Sequence, residues 1–180
     1  MIIAISGRPG GGKDSVAECL KKLLNFPIFT SGGFMRDLAV KRGISFKDLM
    51  EEAKHSPEID NLCDDWMEKL GKEKDNFIMI GRTSGHFIPH AIKIFLDVSV
   101  DEAADRIFKA KRSEEPNSDI EATKDFIRFR RESEELRYMK HYKYDYKDPN
   151  NYDFYLDTSD LTLDEVCKRV IDFLKSSGNI

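Results

Sequence analysis

"IIAISGRPGGGKDSVAECL", residues 2–20, decides the fold. An apolar run of strand length ends at Ser6, glycines follow, and Val16, Ala17, Leu20 and Leu24 then recur at helical spacing. Gly7, Gly12 and Lys13 satisfy the G-x-x-x-x-G-K portion of a phosphate-binding loop. Glycines let backbone N–H groups turn inward around phosphate oxygens. The helix N-terminus adds partial positive charge, and Lys13 adds a full one that reaches the outer phosphates. A tight strand-to-helix connection is the bland alternative. It leaves the lysine unexplained.

The loop departs from the pattern at one place. The residue after Lys13 is Asp14, and the hydroxyl comes one position later, at Ser15.

Further apolar runs of strand length lie at 26–31, 77–81, 92–98 and 152–158, separated by helical patterns. Runs that are apolar on both faces are expected of buried parallel strands. The sequence therefore predicts an α/β fold, a five-stranded parallel sheet with helices on both faces. Ser45 with Asp48, Ser99 with Glu102 and Thr162 with Glu165 mark helix starts, as does Ser56 before Pro57. In the helix after Pro57, the residues Ile59, Leu62, Cys63, Trp66 and Leu70 are expected to face the core.

With 180 residues and no repeat or low-complexity linker, one domain is expected. The formal net charge of −4 argues against a general nucleic-acid or membrane-surface binder, which needs a dominant basic face. No apolar stretch approaches the roughly 20 residues of a membrane span. The opening run is too short for a secretory leader. Cys19, Cys63 and Cys167 form no C-x-x-C, so reduced thiols in a cytoplasmic protein are expected.

Beyond the loop, the chain carries "SGGFMRDLA" (31–39), "PEID" (57–60), "IGRTSG" (80–85), "RRESEELRY" (130–138) and a late "YD" (152–153). This ordered set resembles the archaeal-type cytidylate kinases of the P-loop nucleoside monophosphate kinase family, over almost the whole chain. The resemblance implies phosphoryl transfer from ATP, with Mg²⁺, to a nucleoside monophosphate, in a protein that is often a monomer. It implies a core of residues 1–33, 75–112 and 140–180. It adds an acceptor-binding arm at 34–74 and a short lid with an arginine-bearing helix at 113–139.

It also implies roles. Gly7, Arg8, Pro9, Gly10, Gly11, Gly12, Lys13, Asp14 and Ser15 hold ATP. Arg36 and Arg82 take the acceptor monophosphate, with Ser31 and Thr83 nearby, and Arg130 and Arg137 act on the bridging phosphates. With Lys13, the arginines 82, 130 and 137 form the catalytic set. Arginine suits this work as a permanent, forked cation. Spacing agrees independently: Arg130, Glu134 and Arg137 share one helix face, so Glu134 is expected to orient both arginines. Lys111 and Arg112 are either ATP contacts or a solvated charge run.

The family places Asp or Glu before "GR", near the metal. Here that residue is Ile80. A bare carboxylate about 4 Å from a phosphate charge costs about 4 kcal/mol at an effective dielectric of about 20. A favourable helix-terminus charge returns only about 0.3–1 kcal/mol. Asp14 is therefore either a water-mediated Mg²⁺ support acting with Ser15, a helix cap turned away, or a sign of altered nucleotide use.

Asp60 is the candidate base reader, because a carboxylate accepts from an exocyclic amine. Cytosine and adenine both offer one and uracil does not, and the resemblance puts CMP or dCMP first. Asp65, Trp66 and Met67 replace basic and amide residues of the family pattern, which leaves AMP, UMP, a small metabolite, or a binding-only regulatory module as alternatives.

Overall fold

The computed structural model describes residues 1–110 and 119–180. The elements in chain order are β1 (Ile2–Gly7), α1 (Lys13–Leu24), β2 (Ile28–Thr30), α2 (Ser31–Arg42), α3 (Phe46–His55) and α4 (Glu58–Glu73). There follow β3 (Phe77–Ile80), α5 (Ser84–Phe87), β4 (Ile92–Asp97), α6 (Val100–Ala110), α7 (Ile120–Tyr142), β5 (Phe154–Asp157) and α8 (Leu163–Ser176). A 3₁₀ turn at Pro149–Asn151 precedes β5.

All strand pairs are parallel, in the order β2-β3-β1-β4-β5. The pleat sends alternate residues to opposite faces. Ile2, Ala4, Phe77 and Met79 pack against α2, α3 and α4. Ile3, Ile5, Ile78, Ile80 and Leu96 pack against α1 and α8. Two covered faces account for the unbroken apolar runs. β2 and β5 differ from expectation: they are the sheet edges and are only half-buried. The crevice where the strand order diverges lies at the end of β1, where the glycine loop begins.

Cap chemistry sets the helix ends. Thr162 and Glu165 form a reciprocal capping box on α8. The Asp48 and Glu102 N–H groups donate to Ser45 and Ser99. At α4 the start shifts by one: Pro57 is the cap, and the Glu58 N–H donates to the Ser56 hydroxyl. Leu62 does not face the core and is 40% exposed. The buried stripe of α4 runs through Ile59, Cys63, Met67 and Leu70, which leaves position 62 on its flank. Trp66 packs on that core and stacks on Phe34, ring centroids 4.7 Å apart.

Candidate active site

The loop geometry follows from its glycines. Gly7 has φ +146°, and a Cβ there would lie 2.2 Å from the Leu96 carbonyl oxygen of β4. Gly12, at φ 81°, caps α1 in the left-handed region without a side-chain bond. The Lys13 Nζ donates to the Gly7 and Arg8 carbonyls at 2.9 and 2.8 Å. The ammonium thus curls over its own loop. Burial, with Arg82 adding repulsion, brings the Lys13 pKa down to about 7.

A cavity of about 610 Å³ opens beside the loop, lined by residues 10–15, by Arg106, Ile107 and Ala110 of α6, and by residues 159–163. Arg106 was not foreseen. It donates to the Gly10, Thr158 and Leu161 carbonyls and to the Thr158 hydroxyl, tying loop, β5 and the start of α8 together. Its one sequence signal was the Glu102 partner four positions earlier, which reads as an ordinary surface pair.

Beside the loop, next to Lys13, Arg82, Arg130 and Glu134 converge. The Arg82 Nε is in ion-pair contact with the Glu134 carboxylate. The other Glu134 oxygen accepts from the Arg130 Nε at 3.1 Å. Burial alone would lower the Arg82 pKa, but the Glu134 charge outweighs it and the value is raised. Arg82 is placed from below: the buried Ser6 hydroxyl donates to the Gly81 carbonyl at 2.8 Å and approaches that of Arg82.

The expected pairing thus changes. Glu134 gathers Arg82 and Arg130, while Arg137 turns to Asp60, 3.8 Å away, and bonds the Tyr138 hydroxyl. Arg82 arrives from a strand end far away in sequence, which helix periodicity cannot register. Arg8 is held by Asp97 at 3.0 Å and Glu135 at 3.1 Å, and Lys147 also bonds Glu135. None of those three partners was anticipated.

On the far side, Ser31 opens α2, with its hydroxyl near Gly81. Thr83 is buried at the turn after Arg82. The Arg36 guanidinium lies over the Phe46 ring, 5.2 Å from its centroid. Asp60 faces Arg137, and one turn later the buried Asp64 accepts from the Tyr142 hydroxyl at 2.6 Å. Burial lifts the Asp64 pKa to about 6, with Asp60 and Asp65 adding and the Tyr142 bond opposing. His86 packs against Tyr144 and Phe87 as a structural residue. Lys111, Arg112 and the lid stretch at 113–118 lie outside the described residues.

Ser15 and Asp14 line the same cavity as the glycines and are exposed. Their hard oxygens fit Mg²⁺. Among the described residues, no group of three or more His, Cys, Asp or Glu could hold a metal ion. These two oxygens therefore suit a hydrated cation that arrives on a polyphosphate. Ile80 offers no donor and packs in the same core cluster as Val16 and Ala17. Among the described residues, no helix is long and apolar enough to cross a membrane.

Comparison with known proteins gives the chain its family. Residues 2–160 match the cytidylate kinase-like family. A cytidylate kinase of Methanothrix thermoacetophila is 39% identical, over 88% of this chain and 88% of its own. An S-adenosylmethionine-dependent nucleotide dehydratase of Lacinutrix mariniflava is 32% identical over 99% of this chain, which spans only 37% of that protein. Shikimate kinase from Bacteroides thetaiotaomicron shares the fold, with a TM-score of 0.69 at 15% identity over 97% of this chain and 98% of its own. The chain belongs to the cytidylate kinase-like family and is a nucleoside monophosphate kinase-like enzyme.

Proposed function

We propose that the protein transfers the γ-phosphoryl group of ATP to CMP or dCMP, giving CDP or dCDP and ADP. The observation that carries this reading is the Arg82–Glu134–Arg130 assembly beside the glycine loop. Its cations, in this reading, meet a second, acceptor phosphate beside the cradle for the first.

In this reading the loop N–H groups and Lys13 hold the ATP phosphates. Arg36 and Arg82, with Ser31 and Thr83 beside them, hold the acceptor monophosphate. An acceptor phosphate oxygen attacks the γ-phosphorus, and the bond from that phosphorus to the β-bridging oxygen breaks. Charge spread over the transferring group is met by Lys13, Arg82, Arg130 and Arg137. The acceptor is already an anionic nucleophile, so no separate base is needed. Mg²⁺ bound with ATP supplies charge neutralisation, and Asp14, through water, and Ser15 are the residues that would support it. Asp60 accepts from the exocyclic amine of cytosine. Helices α2–α4 form the acceptor arm and α7 the arginine-bearing lid helix.

ADP release should be measured with CMP, dCMP, UMP, AMP and dephospho-coenzyme A. Fastest turnover with CMP or dCMP supports the reading. A preference for another acceptor overturns the base assignment, and ATP binding without turnover on any acceptor overturns the reaction. A second reading follows from the Lacinutrix relative. There a region like this chain forms part of a protein named for nucleotide dehydration, so this chain would supply a phosphorylated nucleotide to such a reaction.

A further inference from the structure

Tyr146 is fully buried, at 0% exposure, yet its hydroxyl has no hydrogen-bond partner. Such groups are rare, because a buried unpaired hydroxyl is costly. The ring is well held. It meets Tyr138 edge-on, with centroids 5.4 Å apart, and lies against Phe95. The charge that acts most strongly on the hydroxyl is Glu134, followed by Arg82 and Arg8. Glu134, Arg82 and Arg8 are thus the charged groups that surround the buried hydroxyl.

Beside it, one Glu134 oxygen is held by the Arg82 Nε in a buried ion pair and the other by the Arg130 Nε. A carboxylate gripping two arginines imitates a phosphate. When a phosphate takes Arg82, that carboxylate must either stay as a buried like charge or move to another donor. Two buried donors near Glu134 lack a hydrogen-bond partner, the Tyr146 hydroxyl and the Arg137 Nε; Arg137 already faces Asp60, which leaves the Tyr146 hydroxyl.

We propose that Glu134 occupies the acceptor phosphate's place in the free protein, and that the Tyr146 hydroxyl is the seat it moves to when the phosphate arrives. Tyr146 is then a positioning residue that acts through Glu134. This rests on the reading of Arg82 as an acceptor-phosphate ligand, and not on the base.

The test is calorimetric binding of CMP, UMP and AMP to the wild type, Tyr146→Phe, Glu134→Gln and the double variant. Tyr146→Phe should melt about 2–4 °C higher, since it removes an unpaired buried hydroxyl. Its affinity for the monophosphate should fall about tenfold or more, the scale of one hydrogen bond to a charged group. ATP affinity should be unchanged. In the Glu134→Gln background the same substitution should cost little.

Unchanged monophosphate affinity in Tyr146→Phe overturns the exchange. So does an equal loss in both backgrounds, which would mean packing, or a lower melting temperature, which would mean the hydroxyl is already satisfied. If the wild type binds none of the three monophosphates, both the exchange and the kinase-site reading fall. If it binds one and Tyr146→Phe binds it equally well, only the exchange falls.

Discussion

The Arg8 guanidinium donates to the Glu135 carboxylate at 3.1 Å, joining the glycine loop to helix α7 across 127 positions of sequence. The adjacent residue, Glu134, grips Arg82 and Arg130. Two consecutive glutamates of one helix therefore hold the two sides of the site. Burial alone would raise the Glu135 pKa, but the bonds from Lys147 and Arg8 more than offset this and bring it below its ordinary value.

Glu135→Gln should therefore loosen α7 from the loop. Unfolding free energy should fall by about 1 kcal/mol, a modest figure for a partly solvated pair. ATP affinity should fall with it. Chemical denaturation and ATP titration check both, and an unchanged ATP affinity would show that the latch is only structural.

Lys13 gives a signed pH dependence. Its pKa of about 7 lies below the ordinary lysine value, so the unfolded chain holds the extra proton between about pH 7 and 10.5. From this group, the free protein gains stability as pH rises through that window. Phosphate binding should restore the proton, so ATP affinity should drop by up to about tenfold per pH unit above 7. Calorimetry at pH 8 in buffers of different ionisation heat should show uptake of nearly one proton. No uptake would place the ammonium charge in the free protein already.

Asp14→Asn should weaken Mg-ATP turnover by about tenfold or more, the scale of a lost charge-assisted contact. The second substitution Ile80→Asp should restore part of it. Turnover at several Mg²⁺ concentrations checks this, and full activity in Asp14→Asn would remove the metal-support role.

Asp64 carries a cost at neutral pH. Its folded pKa, about 6, lies above the ordinary aspartate value, so the folded state holds the extra proton between about pH 4 and 6. Stability from this group falls as pH rises through that window and stays lower above it. Asp64→Asn should melt higher than the wild type at pH 7.5, and the gap should narrow at pH 4.5. A lower melting temperature at pH 7.5 would show that the Tyr142 bond outweighs the buried charge.

The fold was legible because buried parallel strands leave unbroken apolar runs and because the glycine loop marks where β1 turns into α1. The placement of Lys13, Asp14 and Ser15 followed from that one stretch. The partners across the site were not legible. Arg82 with Glu134 and Arg8 with Glu135 join residues that no periodicity relates, so only the shared helix face of Arg130 and Glu134 could be read. Leu62 and Met67 lie on opposite flanks of the α4 stripe, about 140° apart at about 100° per residue, and spacing alone does not fix which flank is buried. Tyr146 gave no sign at all, since nothing in a stretch crowded with tyrosines marks which one is buried.

Trp66 is the chain's single tryptophan, stacked on Phe34 in the helices proposed to bind the acceptor. All six tyrosines lie between positions 138 and 155, against β4, β5 and the far end of α7. The two chromophore types meet where the Tyr142 hydroxyl donates to Asp64, two positions before Trp66 on α4. Tryptophan emission therefore reports on α4, and energy transfer from tyrosine to tryptophan reports on the contact between α7 and α4, so its loosening can be followed by light without attaching a label.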